Sequence, residues 1–90
     1  MARKMTLKNS VNELFDFAKA HECNLDVAYA KKAQEIKEDP EHFMSLADLG
    51  EAYAFSKANA NYNIVVEARQ TGDETKYNEA LAEWENGKDN

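Results

Sequence analysis

Residues 46–70, LADLGEAYAFSKANANYNIVVEARQ, form the longest helical candidate in the chain, and the fold turns on whether they make one helix or two. The apolar residues here (Ala52, Tyr53, Ala54, Phe55, Ala58, Tyr62, Ile64, Val65, Val66 and Ala68) are not confined to one stripe. A helix apolar on several sides is central to a bundle or keeps a second face for a partner. Gly50 and the asparagines at 59, 61 and 63 weaken the segment, a glycine by up to about 1 kcal/mol. The stretch can begin at Ser45, which with Asp48 makes a capping-box pattern.

The flanks read more simply. Val11, Leu14, Phe15 and Ala18 fall at i, i+3, i+4 and i+7, one face of a helix. Ser10 with Glu13 predicts its N-cap, Thr6 being an alternative start, and the helix runs to about His21. Asn24 caps a second helix. Its apolar face is Leu25, Ala28, Tyr29, Ala33 and Ile36, and Lys31, Lys32, Gln34, Glu35, Lys37 and Glu38 supply its wet face. It stops near Glu38 because Pro40 disfavours the α region before it. Asp39-Pro40 reads as an N-cap followed by a first-turn proline, opening a short turn of helix. Downstream, Gly72 is a helix stop and Asp73 a cap. Tyr77, Ala80, Leu81 and Trp84 give a last clean face, which Gly87 ends.

Composition agrees. Of 90 residues 43% are apolar, but 14 of those are alanine and only six are valine or isoleucine, too few for a sheet interior. The expected fold is all-α: a small four-helix antiparallel bundle, with a fifth helix if the third is kinked. Short connections favour antiparallel neighbours. Residues 1–90 read as one helical domain with 1–6 and 87–90 frayed. The opening methionine reads as the start of a complete small gene product.

Seventeen acids against eleven bases give a net charge of −6, which disfavours loose binding to nucleic acid or anionic membrane. The lone Cys23 excludes an intrachain disulfide and suits a reducing compartment. No apolar run approaches the roughly 20 residues of a membrane span, and no signal peptide is present. The expected location is cytoplasmic.

Motifs for chemistry are sparse. His21, Cys23 and His42 lack metal-ligand spacing, so no metal site is expected. Cys23 beside His21 does not make a nucleophile–base pair, because sequence adjacency is not side-chain geometry. Serines occur at 10, 45 and 56, two of them at cap positions. No glycine-rich phosphate loop exists. With 25 larger apolar residues the chain has little material for a desolvated acid–base pocket. The expectation is no catalytic residue, no cofactor and no enzyme.

Residues 17–33, FAKAHECNLDVAYAKKA, resemble a helix-turn-helix: Ala18 stands where such motifs want a small residue. The resemblance implies a DNA-binding regulator that displays Asp26, Tyr29, Lys31 and Lys32, with Arg3, Lys4 and Lys8 as a backbone-following arm. Glu22 departs from the usual turn glycine, and Lys31 from a buried apolar position. An ordinary helical hairpin is the simpler account. Leu46, Leu49, Gly50 and Tyr53, then Tyr77, Ala80, Leu81 and Trp84, resemble the two helices of a tetratricopeptide repeat set too far apart. They read as helix-packing residues, with Gly50 allowing a close crossing.

The leading reading is therefore a non-enzymatic protein that binds another protein. Its contact candidates are Tyr53, Asn59, Asn61, Tyr62 and Asn63, with Glu79 and Glu83 on the acidic last helix. In size, acidity and helicity the chain resembles small inhibitor or adaptor proteins of bacteriophages and mobile elements, anti-CRISPR and anti-sigma proteins among them. The resemblance implies a partner in a host complex. One form of it has the acidic helix imitate phosphate in a basic, nucleic-acid-handling groove. A homodimer using the extra apolar face of residues 52–68 is the third possibility. No membrane partner is expected, and direct nucleic-acid contact is the lesser alternative.

Overall fold

The computed structural model describes residues 5–58 and 60–87. Five helices and no strand occur among them: α1 (Leu7–Ala20), α2 (Leu25–Glu38), α3 (Leu46–Lys57), α4 (Asn61–Thr71) and α5 (Thr75–Gly87). The fold is all-α as expected, with the third candidate divided in two. The chain forms two compact units, residues 1–53 and 54–90, whose boundary falls within α3.

In the first unit, α1 starts a turn earlier than the Ser10 cap predicts. Thr6 is the N-cap, its hydroxyl accepting the Asn9 N–H at 3.1 Å. The earlier start adds Leu7 to the helix and carries Ser10 onto the buried stripe with Val11, Leu14, Phe15 and Ala18. The Ser10 hydroxyl is buried there without a hydrogen-bond partner. Met5 is tied down as well, its N–H donating to Asp48 Oδ2 at 3.2 Å.

The α1–α2 turn closes as a Schellman motif. The Cys23 N–H donates to Ala18 O at 3.0 Å and the Glu22 N–H to Lys19 O at 3.2 Å, satisfying carbonyls that a helix end leaves orphaned. The motif needs a left-handed residue, and Glu22 supplies it at φ 51°. Asn24 caps α2 as expected, accepting the Val27 N–H at 2.9 Å. The two helices pack against each other. The expected wet face of α2 needs one correction. Its buried residues are Leu25, Ala28, Lys32 and Ile36, so Lys32 lies on the inner stripe and Ala33 is only half-buried.

Asp39-Pro40 does not start a helix. Asp39 is extended, its carboxylate accepts the Glu41 N–H at 3.1 Å and its carbonyl accepts the His42 N–H at 3.0 Å. An Asx turn thus replaces the expected helical turn, the aspartate side chain competing for the amide a helix would leave open. Helix α3 starts after Ser45, whose hydroxyl accepts the Asp48 N–H at 3.0 Å.

The 46–70 stretch breaks between Lys57 and Asn61, and Gly50 lies inside α3. Ala60 is left-handed at φ 64°, and the Ala58 carbonyl accepts the Asn61 N–H at 2.8 Å. The break resets the helical phase. The buried stripe of α3 is Asp48, Leu49, Ala52, Phe55 and Ser56, which in an unbroken helix would continue near 59, 62 and 66. The buried stripe of α4 is instead Asn61, Val65 and Ala68. The apolar residues of 52–68 are thus shared between two helices: on α4, Val65 and Ala68 are buried, Ile64 and Val66 half-buried and Tyr62 exposed. Gly50 marks no close crossing, since a Cβ there would meet nothing within 4 Å.

In the second unit α4 packs against α5. Gly72 ends α4 at φ 81°, its N–H donating to Ala68 O at 2.8 Å, as the sequence predicts. Asp73 accepts the Thr75 N–H at 3.0 Å and so satisfies the first amide of α5. Phe55, from the last turn of α3, is fully buried and meets Trp84 edge-on at 5.7 Å and Tyr77 at 6.4 Å.

Candidate functional site

Helices α4 and α5 enclose an open groove of about 720 Å³. It lies within the second unit and is lined by Asn61 and Ile64 from α4 and by Lys76, Glu79, Ala80, Glu83, Trp84 and Gly87 from α5. The α5 residues recur at three- and four-residue steps, so one stripe of that helix faces the groove. Burial orders the lining. Ala80 is buried, Ile64 and Trp84 are half-buried, and Glu79, Glu83 and Lys76 are exposed. The floor is therefore Ile64, Ala80 and Trp84 together with the buried Asn61, whose amide is engaged by the Phe55 carbonyl, and the rim is charged.

The charge on that rim is unbalanced. The Lys76 ammonium is drawn to Glu67 Oε1 at 3.7 Å, an exposed pair of small energetic weight. Glu79 and Glu83 have no ion-pair partner among the described residues. Like charges four apart cost a helix a few tenths of a kcal/mol. A sequence chosen only to stabilise α5 would place a lysine at one of the two positions, and a local rule broken without structural gain points to function.

Three of the expected protein-binding residues meet at this groove: Asn61, Glu79 and Glu83. Asn61 also has a structural task. It is buried, and its Nδ2 donates to the Phe55 carbonyl at 3.1 Å, closing the α3–α4 break. Tyr62 and Asn63 are exposed on α4 and do not line the groove. Asn59 lies outside the described residues. Tyr53 belongs to the first unit, where its ring stacks on Tyr29 at 4.5 Å and its hydroxyl donates to Asp26. That bond, with burial and the Asp26 charge adding to it, raises the Tyr53 pKa above the usual 10.0. The stabilisation is complete below the ordinary tyrosine value and is lost as pH rises through the raised one. Asp73 is lowered from 3.8, first by its backbone bond to Thr75, so its contribution holds above the ordinary value and is lost as pH falls through the lowered one.

Among the described residues, those of the helix-turn-helix resemblance do not gather on one exposed face. Arg3 and Lys4 lie outside the described residues. Lys8 and Tyr29 are half-buried, and Lys31 is exposed. Lys32 is only 3% exposed. Its ammonium sits 3.3 Å from Glu13 Oε1 and 3.7 Å from Glu35 Oε1, over the rings of Phe17 and Phe43 at 4.9 and 5.1 Å. Its long apolar stem explains how a lysine tolerates the inner stripe. Glu35 also meets His42 Nε2 at 3.2 Å, while His42 Nδ1 accepts the Met44 N–H at 3.0 Å. That acceptor role places the ring proton on Nε2, facing the carboxylate. The turn, by contrast, has the left-handed geometry of the motif despite Glu22.

Sequence reasoning took Trp84 and Ala80 for core and did not single out Ile64 or Lys76. The signal was available in the like-charged pair Glu79 and Glu83 beside an apolar stripe on one short helix. Among the described residues, no group of three or more His, Cys, Asp or Glu is placed to hold a metal ion. No helix there is long and apolar enough to cross a membrane. Compared with known proteins, the chain matches no family model, no curated protein and no solved structure.

Proposed function

We propose that this is a non-catalytic, cytoplasmic protein that works by binding another protein through the α4–α5 groove. The observation that supports the reading is the groove itself: the apolar floor residues Ile64, Ala80 and Trp84 under a rim where Glu79 and Glu83 carry charge with no ion-pair partner among the described residues. Interfaces of this kind place an aromatic anchor at the centre and polar groups around it. An inhibitor or adaptor role fits the size and acidity of the chain.

DNA binding through α2 is the second reading. The Schellman turn at Glu22 favours it, and the inward Lys32 counts against it. Affinity capture from a lysate of the source cells, with and without nuclease, separates the two. The expected result is a protein partner retained after nuclease treatment and lost with Ala80→Arg, whose side chain fills the groove floor. Ala80 is buried, so Ile64→Arg, at a half-buried lining position, repeats the test, and only a variant whose circular dichroism and thermal midpoint match the parent counts. Capture abolished by nuclease, or unaffected by Ala80→Arg, contradicts the reading.

A further inference from the structure

We infer that the groove takes a basic amphipathic helix of the partner protein, with apolar residues on the side facing Trp84 and lysine or arginine flanking them. The inference rests on the protein-binding reading and adds the chemistry of the occupant. Two helices joined by a short turn leave between them a furrow that a third helix fills by ridge-into-groove packing. The apolar floor residues Ile64, Ala80 and Trp84 ask for an apolar stripe. The rim decides the sign of the flanking charge. Glu79 and Glu83 lie one turn apart on the groove face of α5, and Lys76 is already drawn to Glu67. Cations one turn apart on the incoming helix would meet both carboxylates and relieve their mutual repulsion. An acidic segment or a nucleic-acid backbone would be repelled. A second copy of this chain is disfavoured because each copy carries a net charge of −6.

Trp84 is the one tryptophan in the chain and lines the groove, so its emission reports occupancy directly. Three synthetic peptides of about 18 residues probe the full chain. The first has leucine at i, i+3, i+4 and i+7 with lysine elsewhere, the second replaces every lysine by glutamate, and the third scrambles the first. The lysine peptide should shift Trp84 emission saturably, and the other two should not. Glu79→Gln with Glu83→Gln should weaken that binding about tenfold at low ionic strength and flatten its dependence on salt. Both are surface changes that leave the fold intact. Equal binding of the glutamate or scrambled peptide overturns the inference. So does affinity unchanged in the double variant, or a Trp84 shift that follows chain concentration without peptide, which would mark a second copy as the occupant. If the lysine peptide fails while Ala80→Arg still abolishes nuclease-resistant capture, the basic helix is wrong and the protein-binding groove stands. If Ala80→Arg has no effect either, both fall.

Discussion

The two units of the chain treat charge in opposite ways. In residues 1–53 the charged groups serve the fold: Lys32 is held between Glu13 and Glu35 and roofed by two aromatic rings, Asp48 anchors the Met5 amide, and Asp26 holds Tyr53. In residues 54–90 the charges beside the groove do no comparable work. Glu79 and Glu83 repel each other beside half-buried apolar surface. A small protein has few residues to spare, so carboxylates that weaken their own helix mark the surface kept for something else.

The contrast can be broken first at its hydrophobic supports. Phe55→Ala removes a fully buried ring that meets Tyr77 and Trp84, and should cost about 3–5 kcal/mol in urea unfolding. A loss below about 1 kcal/mol would mean that the second unit does not rest on this aromatic cluster. Lys32 sharpens the first unit. Lys32→Ala loses the buried stem and should cost about 2 kcal/mol, whereas Lys32→Met keeps the stem and should stay within about 1 kcal/mol of the parent. Equal losses in the two would show that the ammonium, not the packing, carries the effect. Asn61→Ala leaves the Phe55 carbonyl without that side-chain donor and should cost about 1–2 kcal/mol.

The smallest changes are gains. Glu22→Gly and Ala60→Gly each place glycine at a left-handed residue and should stabilise by about 1 kcal/mol, read from thermal midpoints. If Glu22→Gly gains nothing, the Schellman turn carries no strain to relieve.

How much of this was legible in the sequence varies with the kind of signal. Helix faces with clean three- and four-residue spacing, such as Val11 to Ala18, emerge where periodicity places them, and Asn24, Ser45 and Gly72 act as the caps and stop their chemistry implies. The break between α3 and α4 was legible only as the weakness that the asparagines at 59, 61 and 63 lend the segment. No glycine or proline marks it; an alanine adopts the left-handed conformation, and the buried side chain of Asn61 helps close the break. Propensity carries little of that information, because the deciding hydrogen bond is made after the chain turns. Lys32 misled for a related reason: residue type predicts a wet lysine, while its position, seven residues after Leu25 and four before Ile36, puts it on the inner stripe. At the site, the acids of α5 were readable. Their meeting with Ile64 was not, since it depends on how α4 is phased after the break.

The most direct measurement sets two pairs of carboxylates against each other. Glu13→Gln with Glu35→Gln strips the charge around a buried ammonium. It should cost about 1–2 kcal/mol in urea unfolding, less than the 3–5 of a fully buried pair because those carboxylates are 33% and 50% exposed. Glu79→Gln with Glu83→Gln should leave stability unchanged or raise it by a few tenths of a kcal/mol while weakening partner binding. If the second pair costs as much stability as the first, its carboxylates hold the fold and the groove is not reserved for a partner.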